Sequence, residues 1–305
     1  MWVDPNIRRK GSIVKENALA EHHKSDAFPL FSLFEINITG MCNRYCEFCP
    51  RSDRSVFPGK NEYISIGLYK KIMKELEELA YDGIIAFSGF SEPLFHKDIY
   101  ELISLAHKSC TKSRIELYTN GDLLNVDKLV KLFDAGLTSI HISLYDDPEQ
   151  IERFLIMRNK AGIKVEQFIL RERFLPKEKG YGLTISNRAG MVNFQKLGMK
   201  RLSRPLKSKC YYPFYMMFVD YTGEVIICSH DWGKKLIAGN LEKASVVEVW
   251  TGRIMNNVRK KLAVEDRGFS PCNECDVKGT FMGGEHFKQW QKYYKNNIVK
   301  ETAES

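Results

Sequence analysis

The sequence lacks several things, and each absence narrows what the chain can be. No run of about 18 uninterrupted apolar residues occurs, so no transmembrane helix is expected. The opening stretch MWVDPNIRRKGSIVKENALAEHHKSDAFPL carries charges throughout and has no apolar centre, which excludes a secretory signal; the expected location is cytoplasmic. There is no internal repeat and no low-complexity tract. No zinc-finger, RNA-binding or basic-zipper pattern accompanies the formal charge of +8, so neither nucleic acid nor membrane is an expected partner. The positive balance fits an acidic partner or, more simply, a solvated lysine-rich surface. The cluster NVRKK also suits a helix C-terminus.

The most informative shortage is of a ligand. Cys42, Cys46 and Cys49 stand in the spacing C-x3-C-x2-C within GMCNRYCEFCP, and no fourth Cys or His lies beside them. A closed zinc site takes four ligands. Three thiolates on a four-iron cubane leave one iron open to an outside ligand. Eight cysteines in an apparently cytosolic chain point to metal or redox chemistry more than to disulfides. Three cluster early, Cys110 stands alone, and Cys210, Cys228, Cys272 and Cys275 come late.

What is present is an alternation of strand and helix patterns. Residues 31–40, 83–89, 114–121, 139–146 and 164–174 read as strands. Residues 65–80, 97–110, 125–136 and 147–162 read as helices, the first with Ser65 as N-cap. Such alternation with short loops predicts an α/β fold built on a parallel sheet, curled into an open or closed barrel. Functional loops then sit at the C-terminal ends of the strands, and the three-cysteine loop follows the first strand. Beyond residue 175 the pattern changes. FYMMFVDYTGEVIICS reads as a hairpin turning at Thr222–Gly223. Residues 245–262 read as one amphipathic helix, with Val246, Trp250, Ile254, Val258 and Leu262 at steps of four and a Ser245–Glu248 capping box. The hairpin brings Cys228 level with Met216 and within reach of Cys210, and the segment after Leu262 can return Cys272 and Cys275. Taken by themselves, these four thiols fit a zinc ribbon or an iron–sulfur cluster.

CNRYCEFC resembles the signature of the radical SAM superfamily, in which an S-adenosylmethionine amine and carboxylate complete the open iron. The resemblance implies a partial (β/α)6 barrel with a 4Fe–4S cluster on Cys42, Cys46 and Cys49, and Phe48 packing on the adenine. SGFSEPL stands where the family has a Gly-Gly-Glu-Pro-like segment, which makes Gly89, Ser91 and Glu92 cofactor residues, with Glu92 on the methionine ammonium and Ser91 in place of a glycine. Asn120 in YTNG falls near the ribose, and Ser143 in HISLYD near the ribose or the carboxylate. The late cysteines resemble the SPASM/twitch module of the same superfamily, in its shorter form with one fully ligated auxiliary 4Fe–4S cluster. Their spacing is most similar to that of a member that oxidises a secondary alcohol of an aminocyclitol.

The implied organisation is a segment 1–30, a radical SAM barrel 31–190, a small α+β twitch-type module 191–285 and a tail 286–305. The implied activity is oxidation of a sugar, aminocyclitol or nucleotide-sugar alcohol to a ketone, an oxidoreductase reaction using S-adenosylmethionine, two 4Fe–4S clusters and an acidic electron donor such as flavodoxin or ferredoxin. A peptide-modifying maturase, an epimerase and, in a different class, a zinc-bound scaffold are the competing readings. For the substrate hydroxyl, Arg188, His230 and Asp231 are the candidates, each equally readable as a structural hydrogen-bonding residue. Cys110, at the end of a helix, reads as a packing thiol.

Overall fold

The computed structural model describes residues 4–20, 27–55, 57 and 59–303, with residues 298–303 as backbone only. Of the expected flanking segments, residues 1–3, 21–26 and 304–305 lie outside the described residues.

The chain opens with helix α1 (Pro5–Leu19). Strands β1 (Leu33–Asn37), β2 (Ile84–Phe87), β3 (Arg114–Thr119), β4 (Ser139–Leu144) and β5 (Phe168–Glu172) then alternate with helices α2 (Ile66–Glu78), α3 (Ile99–Ser109), α4 (Val126–Asp134) and α5 (Glu149–Lys160). All five strands pair in parallel and in chain order. Ser65 caps α2 as its sequence predicts, accepting from the Leu68 N–H. The sixth parallel strand does not follow β5. After two short helices, α6 (Phe194–Leu197) and α7 (Tyr212–Tyr215), the first hairpin strand β6 (Met216–Asp220) pairs in parallel with the free edge of β1. Strands β7 (Glu224–Ile226) and β8 (Ile237–Asn240) extend the sheet antiparallel, giving the order β5-β4-β3-β2-β1-β6-β7-β8. The turn is the expected Thr-Gly one, with Gly223 at φ +78°.

The helix read over residues 245–262 is two helices, α8 (Val246–Trp250) and α9 (Arg253–Ala263). The capping box on α8 forms as expected. The chain breaks at Gly252, where a Cβ would lie 2.7 Å from the Glu248 carbonyl oxygen. The break turns Ile254 outward, 37% exposed, although Val258 and Leu262 stay buried. A repeat of four does not by itself register such a kink.

The convex side chains of the strands (Phe34, Ile36, Ile85, Phe87, Leu117, Ile142) join the helices in one large apolar core. The alternate positions face the concave side, and there the strands carry Glu35, Asn37, Glu116, His141 and Ser143, all buried. A parallel strand buried on both faces is ordinarily apolar on both. A polar concave face therefore marks a site.

The two flanking segments are built into the fold. Helix α1 buries Lys10, Val14 and Ala18, four residues apart, and Val14 packs with Leu33, Ile84, Tyr215 and Met216 on the concave side. Its N-cap Asp4 accepts from Asn6 N–H at 2.9 Å and from Arg171 and Arg173 at 3.1 and 2.5 Å. Arg9 grips Glu116 through two bonds of 2.9 and 2.8 Å. Helix α10 (Gly284–Ala303) packs on α1 and α7. Its Trp290 is fully buried and donates to the Phe214 carbonyl at 3.2 Å. Among the described residues no helix is long and apolar enough to cross a membrane.

Candidate active site

The three-cysteine loop leaves the C-terminal end of β1 and is anchored at its base by Arg51. That buried guanidinium donates to the Gly40 and Phe90 carbonyls at 2.8 and 3.0 Å, tying the loop to the one after β2. The Cys49 N–H closes a turn on the Cys46 carbonyl at 2.9 Å. Burial pushes the Cys42 thiol up to about 11, and the neighbouring Glu92 and Cys49 add to it. Burial pushes Cys46 to about 12, reinforced by Cys49 and Cys42. The three sulfurs thus repel one another as thiolates, a cost that a bound iron cation removes.

A cavity of about 250 Å³ opens beside this loop. It is lined by the three cysteines and by every residue expected at the cofactor: Phe48, Gly89, Ser91, Glu92, Asn120 and Ser143. Glu92 is buried, and its carboxylate accepts from Thr119 Oγ1 and Asn120 N–H at 2.7 Å each, and from Leu94 N–H at 3.1 Å. Desolvation raises it to about 7 against the pull of these donors. It is both the cap of a short 3-10 turn and a carboxylate held rigid at the cavity wall. Gly89 has φ +134°, and a Cβ there would lie 2.8 Å from Asn37 Cβ. Ser91 donates to Asn37 Oδ1 at 2.5 Å, a bond that a glycine at this place could not make. Phe48 sits between Tyr145 and Tyr181, with centroids 6.1 and 5.2 Å away. Asn120 donates to Asn43 Oδ1 at 2.7 Å, fixing the amide against the cysteine loop.

The late cysteines gather from three places. Cys210 precedes β6, Cys228 follows β7, and Cys272 and Cys275 flank a 3-10 turn. Burial raises all four thiols, and in three of them neighbouring thiols add to it: Cys228 by Cys272, Cys275 and Cys210, Cys272 by Cys210 and Cys275, and Cys275 by Cys210. Burial likewise raises Cys275, to about 11. Among the described residues no three His, Cys, Asp or Glu side chains are closed around the position of a single ion. The fit to a cluster rests on four neighbouring thiols, Cys272 and Cys275 buried and Cys210 and Cys228 half-buried, the donor set that iron–sulfur cubanes take. Arg267 staples the surrounding loops, donating to the carbonyls of Ser208, Val277, Lys209 and Lys278. A Cβ at Gly279 would lie 2.4 Å from Cys210 Sγ.

A second cavity of about 220 Å³ adjoins the first and shares Glu35, Ser88, Tyr118, Arg171, Arg188 and Ser229 with it. Arg188 therefore faces both. His230 lines the second cavity and lies 3.1 Å from Tyr212 Oη, 3.3 Å from Ser186 Oγ and 3.5 Å from Arg188 Nη1. Burial, with the Arg188 charge adding to it, holds its imidazole down to about 3, so it is neutral. Asp231 is different. It lines neither cavity, and its carboxylate accepts from the Lys235 and Leu236 N–H groups at 3.0 and 2.9 Å. It closes a turn, and the expectation that it meets a substrate hydroxyl is corrected.

Sequence reading missed Glu35, Tyr118, Arg171, Arg173 and the whole contribution of α1. For β5 the signal was there: Arg171 near its end and Arg173 just past it stand in a parallel strand's run, where both faces should be apolar. For Glu35 it was a lone acid inside the apolar run FSLFEINI.

Comparison with known proteins agrees with this geometry. Residues 36–170 match the radical SAM superfamily model, and residues 210–276 match the SPASM iron–sulfur cluster-binding domain. The chain is similar to S-adenosyl-L-methionine-dependent 2-deoxy-scyllo-inosamine dehydrogenase of Niallia circulans, 26% identical over 250 residues, covering 81% of this chain and 93% of that protein. A GTP 3′,8-cyclase of Staphylococcus carnosus (strain TM300) is 33% identical over 137 residues, which span 43% of this chain and 39% of the cyclase. Among solved structures, BtrN in complex with AdoMet and 2-DOIA superposes with TM-score 0.68 at 23% identity, covering 85% of this chain and 98% of that one. A weaker likeness in fold is to anSMEcpe with bound AdoMet, TM-score 0.51 at 16% identity, covering 91% and 96% of the two chains. The chain thus carries a radical SAM domain followed by a SPASM-type module, and its cofactors are S-adenosylmethionine and 4Fe–4S clusters.

Proposed function

We propose that this protein is a radical SAM dehydrogenase that oxidises a secondary alcohol of a small ring substrate, a sugar or aminocyclitol, to a ketone. The observation that carries the reading is the second cavity. It adjoins the cofactor cavity beside the cysteine loop, and it also meets the late-cysteine module at Ser229, His230, Asp276 and Val277. A substrate there lies between a radical source and an electron acceptor. Similarity over most of the chain to a dehydrogenase of an aminocyclitol supports the same class.

In this reading Cys42, Cys46 and Cys49 hold one cluster, and Cys210, Cys228, Cys272 and Cys275 the other. When bound, these groups and S-adenosylmethionine supply hydrogen-atom abstraction and an acceptor for the second electron. The protein does the positioning. Glu92, fixed by three donors, receives the ammonium of the cosubstrate. Phe48, Gly89, Ser91, Asn120 and Ser143 shape the rest of its berth. Arg188 is a charged donor at the junction of the cavities and orients the substrate hydroxyl. Neutral His230 offers a hydrogen-bond acceptor beside it. Residues 31–190 and 191–285 divide the work, with an acidic flavodoxin or ferredoxin as reductant, a pairing that the +8 charge favours.

Cys110 weighs against epimerisation. It is buried at the end of α3 among core side chains and lines neither cavity. The test is to reduce the reconstituted enzyme with candidate alcohols and quantify 5′-deoxyadenosine and ketone together. Equal amounts support oxidation. An inverted stereocentre without ketone would overturn it.

A further inference from the structure

The second cavity has an excess of hydrogen-bond donors, and α1 brings the main one. Lys10 is 9% exposed and lines the cavity, yet its ammonium meets no acceptor among the described residues. It sits over the face of Tyr118, with Nζ 4.2 Å from the ring centroid. Arg188, on the same wall, has among the described residues only the 3.5 Å contact to His230. Arg171 spends one nitrogen on Asp4, while its buried Nε has no acceptor. Lys278 lines the same cavity and is exposed.

The acids nearby are largely used. Asp4 is held by Arg171, Arg173 and the Asn6 N–H. Asp276 accepts from the Asn187 N–H at 2.9 Å. Glu35 accepts from Ser88 Oγ at 2.7 Å, and among the described residues no ion pair joins it to Lys10. A buried ammonium without a carboxylate is costly, and fixed donors without acceptors ask for an anion from outside. Burial holds the Lys10 amine below its ordinary range, only partly opposed by Glu35 and Glu116. The cavity volume of about 220 Å³ lies below the usual range of ligand pockets, which suits a single ring and not a nucleotide sugar.

Resting on the alcohol-oxidation reading, we propose that the ring substrate bears an anionic substituent, a carboxylate or a phosphate, and that Lys10 of α1 is the residue that selects it. Arg188 is left for the hydroxyl, and α1 becomes part of the substrate site.

Binding to the cluster-loaded, S-adenosylmethionine-bound enzyme, without reductant and therefore without turnover, tests this. The probes are hexose and cyclitol rings, each in four forms: neutral, amine-bearing, uronate and monophosphate. The expected result is at least tenfold tighter binding of a uronate or a phosphate than of its neutral and amine-bearing counterparts, and the tighter of the two identifies the anion. Lys10→Met should erase the preference while leaving the spectral response to S-adenosylmethionine intact, and Lys10→Arg should restore most of it. Equal or tighter binding of the neutral or amine-bearing ring overturns the proposal. So does a preference that survives Lys10→Met, or the absence of binding by every anionic ring. Ketone formation is assayed separately. If no ring yields ketone, the dehydrogenase reading fails, whereas ketone from a neutral ring with no anion preference sinks only this inference.

Discussion

The two sets of cysteines are chemically alike and structurally opposite. Cys42, Cys46 and Cys49 come from one loop and sit beside a cavity with the fixed carboxylate of Glu92. Cys210, Cys228, Cys272 and Cys275 are drawn from three separate stretches and packed under loops that Arg267 binds by their carbonyls, and none of them lines either cavity. A local set can leave a ligand position open because the loop alone fixes its shape. A set collected over more than sixty residues needs the whole module folded around it, and ends up closed. The difference separates a site that admits a cosubstrate from one suited to passing electrons.

The sharpest way to break this comparison is to remove one thiol from each set. Cys46→Ala should reduce 5′-deoxyadenosine release to background, by chromatography of reduced reactions. Cys228→Ala should spare much of that release but remove ketone formation, and iron analysis should fall from about eight to about four per chain. If both variants behave alike, the division of labour is wrong. Next in size is Gly279→Val. With a Cβ placed 2.4 Å from Cys210 Sγ, it should disturb the closed set only, costing about 1–3 kcal/mol in denaturant melts and iron from the auxiliary site.

A third test bears on what lies between the sets. Burial alone would raise Glu116, yet the Arg9 hydrogen bonds and charge take it down to about 2. His141 alongside is held neutral by burial, so Arg9 is the partner that counts at neutral pH. A carboxyl depressed on folding stabilises fully above its unfolded value of about 4.3 and loses that contribution as pH falls towards 2. Glu116→Gln should therefore cost ~2 kcal/mol at pH 7 and flatten the acid limb of the stability profile between about pH 5 and 2. The smallest effect is Ser245→Ala, which breaks the capping box on α8 at a cost of about 1 kcal/mol in melting experiments and leaves both sets of thiols intact.

Much of this was legible in the sequence because the signals were local. The C-x3-C-x2-C loop, the Ser65 cap, the Thr222–Gly223 turn and the capping box each lie within a few residues, and local geometry follows from local chemistry. What was not legible depends on contacts across the chain. That β6 joins the free edge of β1, and not a place beyond β5, is settled by pairing two segments about 180 residues apart. That Asp231 closes a turn while His230 reaches the cavity depends on which way one loop faces. Lys10, Val14 and Ala18 did carry a four-residue repeat, but in so polar a helix the repeat marks a buried face only once the concave sheet is there to receive it.

Helix α1 is made early and α10 last, yet they pack on each other, and α1 also lies against the polar side of the sheet. During synthesis α1 can lay Val14 on β1 and β2 before β3 supplies Glu116 for Arg9, and its other flank stays bare until residues near Trp290 emerge. The wall that α1 gives the concave side is thus completed only after residues near Trp290 are made, so its final docking falls late in the folding of this stretch.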